Sequence, residues 1–350
     1  MDYLHRQEAL KKRIEEDGAD AFLVSNRYNW FYLTDFYGDE GLLLLTKNGC
    51  YLFVDFRYVE EAQVESNGCE VVQVQQGEFY TAVGKVLNGG MRVGFEDKLL
   101  YAEYEKLRKE LSFVELLPFS EVVEKMRKVK DEDEIQLIRD ACSVTDEAFA
   151  YIKGLVKAGI SEIDVASELE YFCRKKGIEG MSFSSIVLGG PRASLPHGKP
   201  SNRRLKEGEL LLLDFGVRRN GYCSDMTRMV AVGEVDSETK KVYNTLKFAQ
   251  QRAIDEAKPH MESGELDRLV REWLGEYAEY FGHALGHGVG IEVHEYPYVS
   301  QKRSETLLPG MVFTIEPGIY MPGRLGMRIE DMVVVKEDGV ELLYSSTKEI

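Results

Sequence analysis

The chain has 350 residues, 44% of them hydrophobic, which is enough apolar material for two cores and makes two domains the natural expectation. Sixty acidic against forty-four basic side chains give a formal net charge of −16, so nucleic acid and anionic lipid are unsuited as partners. The first twenty residues, MDYLHRQEALKKRIEEDGAD, lack the apolar core of a signal peptide, and no segment approaches the roughly 20 apolar residues of a membrane span, so a cytoplasmic protein is expected. Five cysteines, at 50, 69, 142, 173 and 223, include no C-x-x-C pair and read as reduced thiols rather than a disulfide framework or a zinc ribbon.

From the N-terminus, LHRQEALKKRIEEDG predicts a helix closed by a glycine, and DAFLVS, GLLLLT, CYLFVDF and EVVQV predict short apolar strands. Residues 1–124 thus read as an α/β unit with no catalytic cluster. The charged run KMRKVKDEDE, residues 125–134, marks the crossing into a second domain, 125–350. That domain opens with helices: Asp131 and Glu134 can cap one that turns Ile135, Ile138, Cys142 and Ala148 inward, and Ser161 starts another. Helical patterns return at 237–257 and 264–281, and no low-complexity segment appears.

Between and after these helices lies a weak internal repeat. LKEGELLLLDFG, residues 205–216, and LLPGMVFTIEPG, residues 307–318, both fit L-x-x-G-x5-acid-x-G at an offset of 102. The equivalent acids, Asp214 and Glu316, each end an apolar strand, where a carboxylate is costly unless a cation compensates it. Each strand also returns as a hairpin. Asn220-Gly221 is a strong two-residue turn that would set Asp214 opposite Thr227 and bring Asp225 back beside it. A turn around Pro322-Gly323 brings Glu330 back to Glu316 in the same way. Four carboxylates therefore converge from two related hairpins.

The stretch GHALGHGVGIEVHE, residues 282–295, adds His283, His287 and His294 among four glycines. Neutral imidazole is a common metal ligand, and glycine lets backbone approach a site closely. Carboxylates that bridge two divalent ions roughly 3.5 to 4 Å apart can activate water and polarise a carbonyl. Oxygen-rich ligands with one histidine favour Mn, Co, Fe or Zn. Cys223, two residues from Asp225, reads as packing, and His5 and His260 as surface residues.

The ordered set Asp214, Asp225, His287, Glu316 and Glu330, at spacings of eleven, sixty-two, twenty-nine and fourteen, resembles the dinuclear-metal peptidases of the pita-bread fold. Within them it is most similar to the Xaa-Pro peptidases, aminopeptidase P and prolidase. SFSSIVLGG, LPHG, LLLLDFG, GYCSDMTR, GHGVGIEVHE, TIEPGIY and RIED carry the resemblance in family order. It implies an α+β protein, a pita-bread catalytic domain behind a smaller α/β domain that shapes the substrate entrance, often across a homodimer. It implies two divalent metal ions and a proline-containing peptide substrate. Asp214 would chelate one metal, His287 and Glu316 the other, with Asp225 and Glu330 bridging both around a shared hydroxide. Glu316 would also relay a proton, and His294 and His197 would steady substrate and oxyanion. His283 would lie near the proline pocket, with Phe183 as a wall. Arg328, on the substrate side of the centre, would orient Glu330, and Thr227 would orient Asp225.

Other readings stay open. A methionine aminopeptidase would share the five ligands without needing the long N-terminal domain, a creatinase-like enzyme would depart from the ligand set, and a peptidase-dead binding module would lose ligands. Prolidases resemble one another in an arginine just after the proline of VHE-x-P. Here that position is Tyr298, with Arg303 five residues on, so cleavage of the Xaa-Pro bond in longer peptides is the favoured reading and the dipeptidase its alternative.

Overall fold

Short apolar runs alternating with amphipathic segments build the first of two units. The computed structural model describes residues 1–350, and their contacts divide them into Met1–Arg127 and Lys128–Ile350. Strands β1 (Ala21–Val24), β2 (Leu42–Thr46), β3 (Gly49–Asp55), β4 (Glu70–Val74), β5 (Arg92–Glu96) and β6 (Glu115–Phe119) form one mixed sheet in the order β4-β3-β2-β1-β5-β6. Every residue of β1 and β2 is buried, so this part of the sheet is covered on both faces. Six helices accompany it: α1 (Tyr3–Glu16), α2 (Arg27–Thr34), α3 (Val59–Glu65), α4 (Phe79–Gly84), α5 (Tyr101–Glu110) and α6 (Val122–Met126). Helix α1 buries Arg6, Gln7, Leu10 and Ile14, the one face its period allows.

The second unit repeats one plan twice. In the first half, helices α7 (Glu132–Lys153) and α8 (Glu162–Lys175) precede β7 (Gly180–Met181), β8 (Ile186–Gly189), β9 (Glu209–Phe215), β10 (Val217–Arg219), β11 (Tyr222–Cys223) and β12 (Met226–Val232). In the second, α9 (Ser237–Glu256) and α10 (Ser263–Leu274) precede β13 (Gly286–Gly288), β14 (Glu295–Val299), β15 (Val312–Ile315), β16 (Gly318–Met321), β17 (Leu325–Arg328), β18 (Asp331–Val335) and β19 (Val340–Leu342). Asp131 with Glu134, and Ser161 with Asp164, close capping boxes at the starts of α7 and α8. Helix α10 stops sooner than its apolar pattern suggests. Gly275, at φ 57°, turns the chain out of the helix, and 275–280 form a 3-10 segment.

Each half contains one long antiparallel ribbon bent in two at its acids. In the first, Asp214 pairs with Thr227 between β9 and β12, and Arg219 pairs with Tyr222 between β10 and β11. Asn220 and Gly221 make the turn, both at positive φ, 49° and 79°, as a tight hairpin of this hand requires. In the second, Ile315 pairs with Asp331 between β15 and β18, and Gly318 pairs with Arg328 between β16 and β17. Both ribbons leave one sheet and enter another, the first in sheets β12-β9-β8 and β11-β10-β7, the second in sheets β14-β13-β15-β18-β19 and β16-β17. At the first bend a Cβ on Gly216 would lie 1.8 Å from the Ser224 carbonyl oxygen, so only glycine lets the strands cross there.

One apolar core joins the halves. Leu210, Leu212 and Met229 pack in it with Phe313, Ile315, Val333, Leu246 of α9 and Val270 of α10. Leu210 and Leu212 share a strand face with Asp214, so the apolar row of β9 ends in a carboxylate at the core's edge. No helix is long and apolar enough to cross a membrane.

Candidate active site

The two bends carry the acids. Asp214 ends β9, Asp225 lies in the gap between β11 and β12, Glu316 follows β15, and Glu330 fills the gap between β17 and β18. His287 enters from β13, and the glycines on either side of it have a steric purpose. A Cβ on Gly286 would sit 1.9 Å from the Thr314 oxygen, and one on Gly288 would sit 2.0 Å from the Tyr296 oxygen. His287 therefore reaches the acids on a strand pressed against both of its neighbours.

Asp225, His287 and Glu330 offer ligand atoms all within 4.8 Å of one another. His287 Nε2 lies 3.7 Å from Asp225 Oδ2 and 3.3 Å from Glu316 Oε1. Its Nδ1 faces the Gly288 carbonyl at 3.0 Å; a carbonyl only accepts, so Nδ1 carries a proton and the ring presents Nε2 to the acids. Asp214 joins the group through Arg328, which is paired with it and donates from Nε to Thr227 Oγ1 at 3.0 Å. Thr227 in turn donates to Glu330 Oε2 at 2.7 Å.

These carboxylates are not satisfied by protein alone. Asp214 and Asp225 are buried, and Oδ1 of each has no hydrogen-bond partner. Burial pushes Asp214, Asp225 and Glu330 above the usual carboxylate range, and neighbouring acids push them further. Glu316 is the exception: against the burial that would raise it, the hydrogen bond and charge of His287 hold it at about 2. Burial would lower His287, but Glu316 outweighs it and raises the imidazole above its ordinary value. Three buried acids and a half-buried fourth, two orphaned oxygens and an imidazole nitrogen aimed among them form the donor set of a hard to borderline divalent cation.

The supporting partners differ from those expected. Arg328 makes no direct hydrogen bond to Glu330: although it lines the cavity described below, it is buried, and its nitrogens reach Asp214, Thr227 and, at 2.6 Å, the Tyr320 hydroxyl. Thr227 supports Glu330 rather than Asp225. The cause is register: Thr227 lies directly opposite Asp214, so its hydroxyl stands between the two halves, while Asp225 has already left the strand. Tyr320, which nothing in the motif reading singled out, links Arg328 to His283 Nε2 at 2.9 Å. It lies four residues after Glu316, an even spacing along a strand, which was the available signal. Thr314, also not singled out, donates to Glu316 at 3.2 Å and accepts from the His287 N–H at 3.1 Å.

A cavity of about 1110 Å³ opens over the cluster. Phe183, His197, His283, His294, Tyr298 and Arg328 line it with all five candidate donors. The His287 and His294 rings are 4.2 Å apart. Burial first, then the charge on His287, lowers His294 to about 4, leaving a neutral ring at the cavity wall. Arg303 lies outside the lining, but its guanidinium stacks 4.8 Å from the centroid of the Tyr298 ring. Cys223 is fully buried, and His5 and His260 are exposed.

Acids clustered around a histidine at the floor of a peptide-sized cavity define a metal-dependent hydrolase. Residues 136–337 match the model of metallopeptidase family M24, and residues 6–129 match the creatinase/prolidase N-terminal domain. The chain belongs to metallopeptidase family M24, its second unit having the pita-bread fold. An Xaa-Pro dipeptidase from Pyrococcus horikoshii is 36% identical over 98% of each chain. Among solved structures, an Xaa-Pro dipeptidase from Bacillus anthracis superposes with a TM-score of 0.95 at 39% identity, covering 100% of this chain and 99% of that one. The X-Pro aminopeptidase from Thermotoga maritima MSB8 gives 0.91 at 36% identity, with 98% of each chain covered.

Proposed function

We propose that this metallopeptidase hydrolyses the Xaa-Pro bond at the N-terminus of peptides with two divalent ions held by Asp214, Asp225, His287, Glu316 and Glu330. The observation that carries the reading is the pair of buried, unpartnered Oδ1 atoms on Asp214 and Asp225, in a cluster where Asp225, His287 and Glu330 bring ligand atoms within 4.8 Å of one another. Divalent ions bound there supply a polarised peptide carbonyl and water of lowered pKa. Glu316 takes up the proton released at the site and returns it to the leaving proline nitrogen. His294 and His197 donate hydrogen bonds to the oxygen on which charge develops. Phe183 and His283 wall the space for the proline ring. Arg328, paired with Asp214, offsets part of the burial cost of its charge and aims it.

Tyr298, which offers no charge to a carboxylate beside the proline, favours substrates that continue beyond it. A second reading, the dipeptidase, is favoured by Arg303, which stands one ring away from the cavity, and by the names of the Pyrococcus and Bacillus relatives. The test is kcat/KM for Ala-Pro and Ala-Pro-Ala with Mn or Co, before and after chelation and in Arg303→Ala. Chelation abolishes hydrolysis if the metal reading holds; full activity after exhaustive chelation defeats it. A preference for Ala-Pro that Arg303→Ala removes would establish the dipeptidase.

A further inference from the structure

Asp225 sits where the first ribbon bends, and neither neighbouring strand takes its backbone. A residue 119 positions away does. The Asp225 N–H donates to the Tyr344 hydroxyl at 3.0 Å, and that hydroxyl donates to the Asp225 carbonyl at 2.7 Å. One phenol oxygen thus satisfies both backbone groups of a residue at the centre of the site, using its single proton to do so. Met332 Sδ, 3.2 Å from the same N–H, is the weaker second acceptor.

Tyr344 is itself held firmly. It is 5% exposed, and the following residues are tied to Asp146, whose carboxylate accepts from Ser345 N, Ser345 Oγ and Ser346 N at 2.7, 2.7 and 3.0 Å. An aspartate has only two side-chain torsions, so its carboxylate follows its backbone closely. Metal coordination tolerates displacements of only about 0.2 Å. We propose that Tyr344 is a positioning residue of the metal centre: by clamping the Asp225 backbone from behind, its hydroxyl aims the Asp225 carboxylate and sets the affinity for the ion shared with Glu330 and His287. The role rests on the metal reading given above.

The test is Tyr344→Phe, which keeps the ring and removes the clamp. Wild type and variant, stripped of metal, are titrated with Mn(II) by calorimetry and by electron paramagnetic resonance, with melting of the metal-free proteins alongside. The expected result is manganese affinity weakened by about 10- to 100-fold, the usual scale for losing a partner behind a ligand, with kcat restored at saturating manganese and KM for Ala-Pro-Ala little changed. A lowered melting temperature with unchanged manganese affinity would overturn the proposal, because a merely structural tyrosine behaves that way. Asp146→Ala loosens the same tail without touching the phenol and is expected to weaken affinity severalfold; it serves if Tyr344→Phe does not fold, and unchanged affinity there overturns the proposal equally. Wild type that binds no manganese overturns the metal reading itself, and the positioning role with it.

Discussion

The two halves of the catalytic unit share a plan, yet they hold their acids differently. Both acids of the first half are aspartates, and both of the second are glutamates. Glu330 has its backbone held by the other half: its N–H donates to Thr227 O at 3.1 Å, and its carbonyl accepts from Arg228 at 2.6 Å. Its carboxylate is held too, by the Thr227 hydroxyl. From the opposite ribbon Asp225 has only the weak Met332 thioether acceptor, and it relies on Tyr344, outside both ribbons. The bends differ as well: a Cβ on Gly216 would meet the Ser224 backbone, whereas one on the equivalent Gly318 would meet the Tyr320 side chain. A duplicated backbone thus places four acids symmetrically, while unrelated contacts make each of them rigid. The longer side chains are steered by hydroxyls at their tips; the shorter ones are steered through their backbone or, for Asp214, by Arg328.

The comparison can be broken first at the acids. Asp225→Asn and Glu330→Gln, equivalent in the two halves, should each lower kcat/KM by about a thousandfold, the upper end for losing one charge-stabilising group, and lower bound metal as well. Metal analysis beside kinetics checks it; an active Glu330→Gln with an inactive Asp225→Asn would mean that the halves are not functionally equivalent. His294→Ala and His197→Ala, which remove cavity-wall imidazoles and no candidate donor, should cost about a hundredfold in rate with metal content unchanged. Loss of bound metal in His294→Ala would move that ring among the ligands.

Stability sharpens the comparison further. Gly216→Ala forces a Cβ to 1.8 Å from a carbonyl oxygen and should cost about 1–3 kcal/mol, read as a fall in melting temperature of the metal-free protein. Gly318→Ala, at the matching position, meets the far end of the Tyr320 side chain rather than backbone and should cost less. Equal losses would remove the distinction drawn between the bends. The smallest effect is expected from Thr227→Val, which breaks one hydroxyl link between the halves: manganese affinity should fall about tenfold, and unchanged affinity would show that Glu330 is held by its backbone alone.

Much of this plan was legible in the residues. The Asn220-Gly221 turn dictates the pairing of Asp214 with Thr227, and the repeat carries the same logic to Glu330, because turn chemistry and strand period are local properties. The strands β1 to β4 stood out as unbroken apolar runs. By contrast, β5 and β6 contain Gly94 and Pro118, which interrupt the run that marks a strand. Arg328's choice of Asp214 depends on which side of a bend each residue faces, and no spacing encodes that. Tyr344 was invisible for a stronger reason: its contact spans 119 residues and uses the backbone of Asp225, so no side-chain pattern at either end announces it.

The position of that clamp in the chain also orders events during synthesis. A ribosome delivers the five donors at 214, 225, 287, 316 and 330, and only afterwards the residue that holds Asp225 from behind. Residues 1–127 have their own core and can fold while the rest is still being made. On the proposed reading, a translation product cut short after Val340 would carry all five candidate donors without the hydroxyl behind Asp225, and should bind manganese more weakly by the same factor as Tyr344→Phe.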